Sequence, residues 1–369
     1  MVEDLPREGD VMEEDMSIFG YGRADVEKRI GHVSQVGGLR PFTLSDGRAN
    51  GVRGVDFRTT TGLDFTVLLD RAMDISEARY KGMSLCWRSA AGDANPAFYD
   101  SRWIEWLWTF FGGLNTTCGL TQTGGPNTDQ GEALGLHGRV SAAPAERVSV
   151  REEWESDHLA LEVSGVVREA RLFGPELEMH RTIRARSDRA GFSVRDRIVN
   201  IGARPSPLML LYHINLGFPL LDDGAEMILP STKVVARDER ARAEQERWAE
   251  IIGPATGYEE RVYAHTMEAD ADGIVTYGLI NRRLNIGVQV QYRKQELPFF
   301  TEWKMFGDRE YVLGLEPANS PAIGREALRE KGQLVELGVG EATDAGFEVN
   351  VVEGKQELDR LVENASARR

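Results

Sequence analysis

Between residues 148 and 200 short apolar runs alternate with tight turns. The runs are Val148 to Arg151, Leu159 to Val167, Leu177 to Ala185 and Phe192 to Asn200. Glu-Ser-Asp, Phe-Gly-Pro and Ser-Asp-Arg-Ala-Gly separate them. Even spacing of strands and turns restricts a chain to hairpins, and hairpins in number build a β-sandwich or a related large sheet. The same alternation begins after Ile30, where Ser45-Asp-Gly47 and Thr60-Thr-Gly-Leu63 are turns beside the strands Val52 to Arg58 and Phe65 to Leu69. It returns at Gly273 to Leu279, Ile286 to Tyr292, Phe299 to Met305, Tyr311 to Leu315 and Phe347 to Val352. Gly37-Gly38 and Gly51 to Gly54 are not closely followed by a helix-forming segment, so they make no dinucleotide fingerprint.

Two segments break the pattern. Arg237 to Glu250 has helical composition and reads as a solvated excursion between strands. Gln356 to Glu363 reads as a short amphipathic helix. With neither an internal repeat nor a linker, residues 17–353 read as one continuous, mainly β domain, an all-β sandwich or related large sheet. An acidic tail, 1–16, precedes it and a short helix and tail, 354–369, follow. The 369 residues suffice for a large core.

Composition narrows the partners. Forty-four basic against 59 acidic residues leave a net charge of −15, which disfavours nucleic acid and anionic membranes and points to a small molecule. Two cysteines, Cys86 and Cys118, are too few for a disulfide framework or a thiolate cluster, and a cytoplasmic setting is expected. The acidic first residues do not resemble a signal peptide, and no run reaches the length of a membrane span.

Three short stretches carry titratable groups on apolar runs. Leu208 to Pro219 is strand-like, yet holds His213 and Asn215 two residues apart, on one face of an extended chain. Leu134-Gly-Leu-His137-Gly138-Arg139 lies upstream, and Gly314-Leu-Glu316-Pro317-Ala-Asn319 downstream. Burying such groups is costly unless they are paired or used. Singly, each has an ordinary explanation: a satisfied core histidine, a turn cap, an edge glutamate beside an arginine. Brought together, a glutamate that takes a proton and a histidine that gives one suffice to open a cyclic sugar, with no metal, nucleotide or flavin. Asp70-Arg71-Ala-Met-Asp74 reads either as a solvated turn or as an arginine turned inward onto sugar hydroxyls. The segment Ser101 to Phe111, with Trp103, Trp106 and Trp108, reads as core, subunit contact or a sugar-stacking wall. The other histidines, His32, His158, His180 and His265, sit in polar or turn-like sequence and are assigned no chemistry.

Taken in order, Leu-His137-Gly138, Tyr-His213-Ile-Asn215 and Gly-Leu-Glu316-Pro resemble the motifs of aldose 1-epimerases, the galactose mutarotase-like superfamily. With Asp70 to Ile75 added, the resemblance is to an aldose 1-epimerase-like branch and covers roughly Ile30 to Val352. It implies a β-supersandwich with a sugar in an open cleft on one sheet. It makes Glu316 the general base on the anomeric hydroxyl, His213 the general acid at the ring oxygen, and His137 a binding and orienting group. Arg71 and Arg139 become clamps, Asn215 and Asn319 hydroxyl partners, and Trp303 a stacking face. Two departures stand out. Only Ile214 separates His213 from Asn215, where the better-known mutarotases have three residues. Arg139 replaces a small residue, and an added cation favours an acidic sugar. Three readings follow: an anomer-interconverting isomerase, a non-catalytic sugar-binding protein, and a metal-dependent isomerase or lyase of an acidic sugar.

Overall fold

The computed structural model describes residues 18–366, and the acidic stretch 1–16 lies outside them. Two antiparallel sheets are stacked. The larger has eleven strands and runs, edge to edge, Gly38–Thr43, Arg53–Arg58, Leu63–Leu68, Asp74–Tyr80, Asn115–Leu120, Met209–Gly217, Glu310–Ala318, Phe299–Gly307, Arg261–Met267 and Ser231–Ala236, with Met83–Ser84 beside Asp74–Tyr80. The smaller has eight: Glu226–Ile228, Ile274–Asn281, Ile286–Arg293, Ala342–Glu353, Gly191–Asn200, Glu176–Arg186, His158–Ala170 and Ala145–Glu155. Strands on the smaller sheet bury alternate residues, as Glu176–Arg186 does, because one face meets the core and the other meets water. Met209–Gly217 is buried at every position, since both of its faces are covered.

Apolar side chains fill the space between the sheets. Phe57 stacks on Phe65 at 4.3 Å and Phe65 on Phe192 at 4.4 Å, while Tyr212 meets Phe347 edge-on at 5.0 Å. A charge network crosses the same space. Arg181 of the smaller sheet reaches Asp74 of the larger at 2.8 Å and Asp196 of its own sheet at 2.6 Å, and the Tyr212 hydroxyl donates to Asp196 at 2.6 Å. Asp74 also accepts from the Thr117 amide at 2.8 Å and the Thr117 hydroxyl at 2.6 Å. Such a buried set is stable only because its polar atoms are satisfied by one another.

Two local expectations are corrected. Asp70 to Asp74 is no solvated turn, because all five residues are buried. The Arg71 guanidinium is occupied by three backbone carbonyls, of Ser141 at 2.7 Å and of Ala94 and Thr109 at 2.8 Å, and it lies over the Phe111 ring. Arg237 to Glu250 is not one helix. Only Glu239–Ala243 is α-helical, capped by Asp238, and a 3-10 turn, Gln245–Arg247, follows. After that turn the Lys304 amine holds the carbonyls of Trp248 and Glu250. The C-terminal helix spans Lys355–Ser366. Among the described residues, no helix is long and apolar enough to cross a membrane.

Candidate active site

Met209–Gly217 lies inside the larger sheet, between Asn115–Leu120 and Glu310–Ala318. Alternation along it sends Leu210, Tyr212, Ile214 and Leu216 into the core between the sheets and turns Leu211, His213 and Asn215 to the opposite face. There a second apolar cluster, Trp106, Phe110, Cys118, Leu211 and Ala318, covers the sheet apart from the main core. The register that pairs Leu211 with Ala318 and Ile214 with Leu315 sets His213 across from Glu316.

His213 Nε2 and Glu316 Oε1 are 3.3 Å apart, with 6% and 3% of the two side chains exposed. The contact lacks hydrogen-bond alignment, so Oε1 of Glu316 is left without a hydrogen-bond partner, as is Nδ1 of His213. Buried polar atoms in that state are rare and call for a use. Burial pushes the Glu316 carboxyl up to about 8; the charge of Glu260 adds to the rise and Arg237 opposes it. Burial pulls the His213 imidazole down to about 3, with His137 adding to the fall. The pair therefore holds one proton between those limits, as a carboxylic acid beside a neutral imidazole.

Around the pair stands an aromatic wall. The His213 ring meets Phe110 at 5.2 Å, Trp303 at 5.3 Å and His137 at 5.6 Å. His137 comes from the Leu134 to Gly138 loop and has a left-handed backbone, φ 55°. Its amide donates to the Gly124 carbonyl at 3.0 Å, its carbonyl accepts from Gly119 at 3.1 Å, and its ring packs on Trp106 at 5.0 Å. Burial pulls its imidazole down to about 4. Glycine must follow it, because a Cβ at Gly138 would lie 2.4 Å from the Gly119 carbonyl oxygen. Trp303 donates its indole N–H to Glu260 at 2.9 Å, and Arg237 holds the other oxygen of Glu260 at 2.6 Å. Trp87 closes the remaining side, 6.4 Å from Trp303.

Of the residues singled out from sequence, the structure brings together His213, Glu316, His137 and Trp303. It does not bring Arg71, Arg139 and Asn319 to the pair as free groups, and Asn215 is engaged in part. Arg71 is engaged by the carbonyls described above. Arg139 points to Glu132, 3.7 Å away. The Asn215 amide nitrogen donates to the carbonyls of Gly113 and His213 at 3.1 and 2.7 Å, while its Oδ1 is buried without a partner and its side chain opposes the fall of the His213 imidazole. Asn319 accepts from the Leu210 amide at 2.7 Å and donates to the Leu208 carbonyl at 3.2 Å. Within the tryptophan segment, Trp106 turns inward, while Trp103 and Trp108 are exposed. Trp87, Glu260 and Arg237 went unnoticed; no motif marks them, and only the strand order places Glu260 next to Trp303. His265 is buried rather than turn-like, paired with Glu302 at 2.9 Å.

Chemically, the site offers one proton on two adjacent groups, walled from bulk water. Among the described residues, no group of three His, Cys, Asp or Glu is arranged to hold a metal ion.

The sequence profile described as "Domain of unknown function (DUF4432)" matches residues 49–351. Among solved structures, the chain is similar to a Klebsiella pneumoniae protein provisionally assigned as an aldose 1-epimerase. That likeness has 22% identity and a TM-score of 0.84, and covers 93% of each chain. It is also similar to a galactose mutarotase-like protein from Clostridium acetobutylicum, at 13% identity and a TM-score of 0.60, over 86% of this chain and 99% of that one. A galactose 1-epimerase from Lactobacillus acidophilus matches at 11% identity and a TM-score of 0.56, over 86% and 99%. Identities this low establish the shared fold, the mainly β architecture of galactose mutarotase-like proteins. A search of curated protein sequences found no match.

Proposed function

This chain belongs to the DUF4432 family, and we propose that it is a carbohydrate isomerase that interconverts the anomers of a sugar by metal-free acid-base chemistry. The observation that carries the reading is the buried approach of His213 to Glu316, 3.3 Å apart on neighbouring strands. Two groups so close cannot bracket a sugar ring. They suit its anomeric edge, where the hydroxyl oxygen and the ring oxygen are bonded to one carbon. The sugar approaches past the half-buried edges of His137, Trp303 and Trp87, and the indoles offer faces for its apolar side.

In the proposed cycle, the pair's one proton moves from Glu316 to His213. The Glu316 carboxylate then takes the proton of the anomeric hydroxyl while the His213 imidazolium protonates the ring oxygen. The bond between the anomeric carbon and the ring oxygen breaks, leaving an aldehyde. After the aldehyde rotates, His213 removes the proton from the former ring oxygen, the ring recloses on the other face, and Glu316 returns its proton to the aldehyde oxygen. The pair ends with the proton count it began with.

Exchange NMR between α and β anomers, over a panel of neutral and acidic sugars with and without chelator, tests this reading. Enzyme-dependent exchange that chelator leaves unchanged is expected for at least one sugar. Binding without exchange would make the protein a sugar-binding module instead, and exchange abolished by chelator would favour a metal-dependent reaction.

A further inference from the structure

A second concavity, of about 370 Å³, lies apart from the aromatic wall. It opens between the hairpin Asn127–Leu134, the turn after His158–Ala170, and the helix Arg325–Glu330. Its charges are unequal. Arg325, buried at its floor, is held by Asp129 at 2.8 Å and by Glu132 at 2.6 Å. Asp129 is shared with Arg329 at 2.7 Å, and Glu132 with Arg171 at 2.7 Å and Arg139 at 3.7 Å. Glu336 reaches Arg329, at 3.2 Å. Arg204, on the rim, has no acidic partner among the described residues. Three carboxylates, Asp129, Glu132 and Glu336, thus face four guanidiniums along the lining, and the one positive charge in excess sits at the opening, where Arg204 and the half-exposed Arg171 border it.

Apolar groups stand beside these arginines on the rim: Phe173, which is 83% exposed, and Pro175 on the turn that carries Arg171, and Pro205 next to Arg204. A net positive pocket with one free guanidinium and a hydrocarbon edge fits a small molecule that joins an oxyanion to a compact, partly apolar body. We propose that this concavity is a binding site for such a ligand, a carboxylate or phosphate carried on a body no larger than a monosaccharide, with Arg204 as its principal anion contact. The site does not depend on the reaction assigned to His213 and Glu316.

Isothermal titration of the whole protein with inorganic phosphate and with glucuronate, at fixed ionic strength, tests it. Phosphate binding identifies the phosphate source and glucuronate binding the carboxylate source. Because Arg204 is exposed and makes no ion pair, Arg204→Ala should fold normally and leave anomer exchange unchanged. Its affinity for the anion that binds should fall by about tenfold or more, the loss of one charge-assisted contact. Failure of both anions to bind, or equal affinity in the variant and the parent, overturns the proposal; the equal-affinity result would locate the bound anion elsewhere, including at the aromatic-walled site.

Discussion

A Cβ placed on Gly314 would lie 2.6 Å from Oε1 of Glu316 and 3.1 Å from the Trp303 ring. The absence of a side chain there leaves Glu316 free to lean toward His213. Gly314→Ala is expected to push the carboxylate or the indole aside and to lower kcat for anomer exchange at least tenfold, since small displacements at a reacting centre are costly. The unfolding midpoint should change much less. Exchange NMR beside thermal denaturation checks this, and full activity in the variant would show that the carboxylate can move without consequence.

Glu316→Gln keeps the shape of the side chain and removes the proton carrier. Turnover should fall by about 10²- to 10⁴-fold while sugar affinity is retained. His213→Asn should slow ring opening by a similar order. Saturation-transfer rates and titration on the same samples separate the two effects.

The exchange rate should be flat at neutral pH and fall at either extreme. Above about 8 Glu316 loses its proton, and the pair has none left for the ring oxygen. Below about 3 His213 gains a second, and no base remains. A pH profile of kcat/KM, corrected for spontaneous mutarotation, should show both limbs. A rate that climbs steadily through pH 9 would rule out the one-proton pair.

Stability should carry the same signature with a definite sign. The Glu316 carboxyl sits at about 8 in the fold against an ordinary value of 4.5. Between those values the unfolded chain releases a proton that the folded chain keeps, so raising the pH favours unfolding. The contribution of Glu316 is present in full below about 4.5 and lost as pH rises through about 8. Denaturant melts of the parent and of Glu316→Gln, from pH 5 to pH 9, should therefore converge at the acid end and separate at the alkaline end. The gap should be on the order of a few kcal/mol.

Arg71→Ala would orphan three buried carbonyls at about 1–3 kcal/mol each, so the variant is expected to unfold at much lower temperature or to fail to accumulate. Arg71→Lys, with a compact ammonium in place of the planar fork, should recover only part of the loss. Near-native stability in the alanine variant would contradict the role of Arg71 as a tie between distant loops.

The strands were legible because their apolar periodicity and their turns are local signals. The approach of His213 to Glu316 was legible because each stands out on an otherwise apolar run. Arg71 was misread for the opposite reason. Asp70 to Asp74 is locally as polar as any exposed turn, and what buries it is the arrival of carbonyls from Ala94, Thr109 and Ser141. Asn319 likewise looked available, but the backbone of Leu208 and Leu210, reached only in the folded sheet, takes up its amide. Glu260 had no signal at all, since its meaning comes from a strand neighbour more than forty residues away.

Arg181 ties Tyr212 and Asp74 together behind the strand that presents His213, whereas in front Trp303 comes from a neighbouring strand and Trp87, Phe110, His137 and Glu260 arrive on separate loops. The His213–Glu316 couple and most of its surroundings are thus anchored independently. A descendant of this chain can exchange its loops, and with them the molecules it admits, while the couple keeps its spacing.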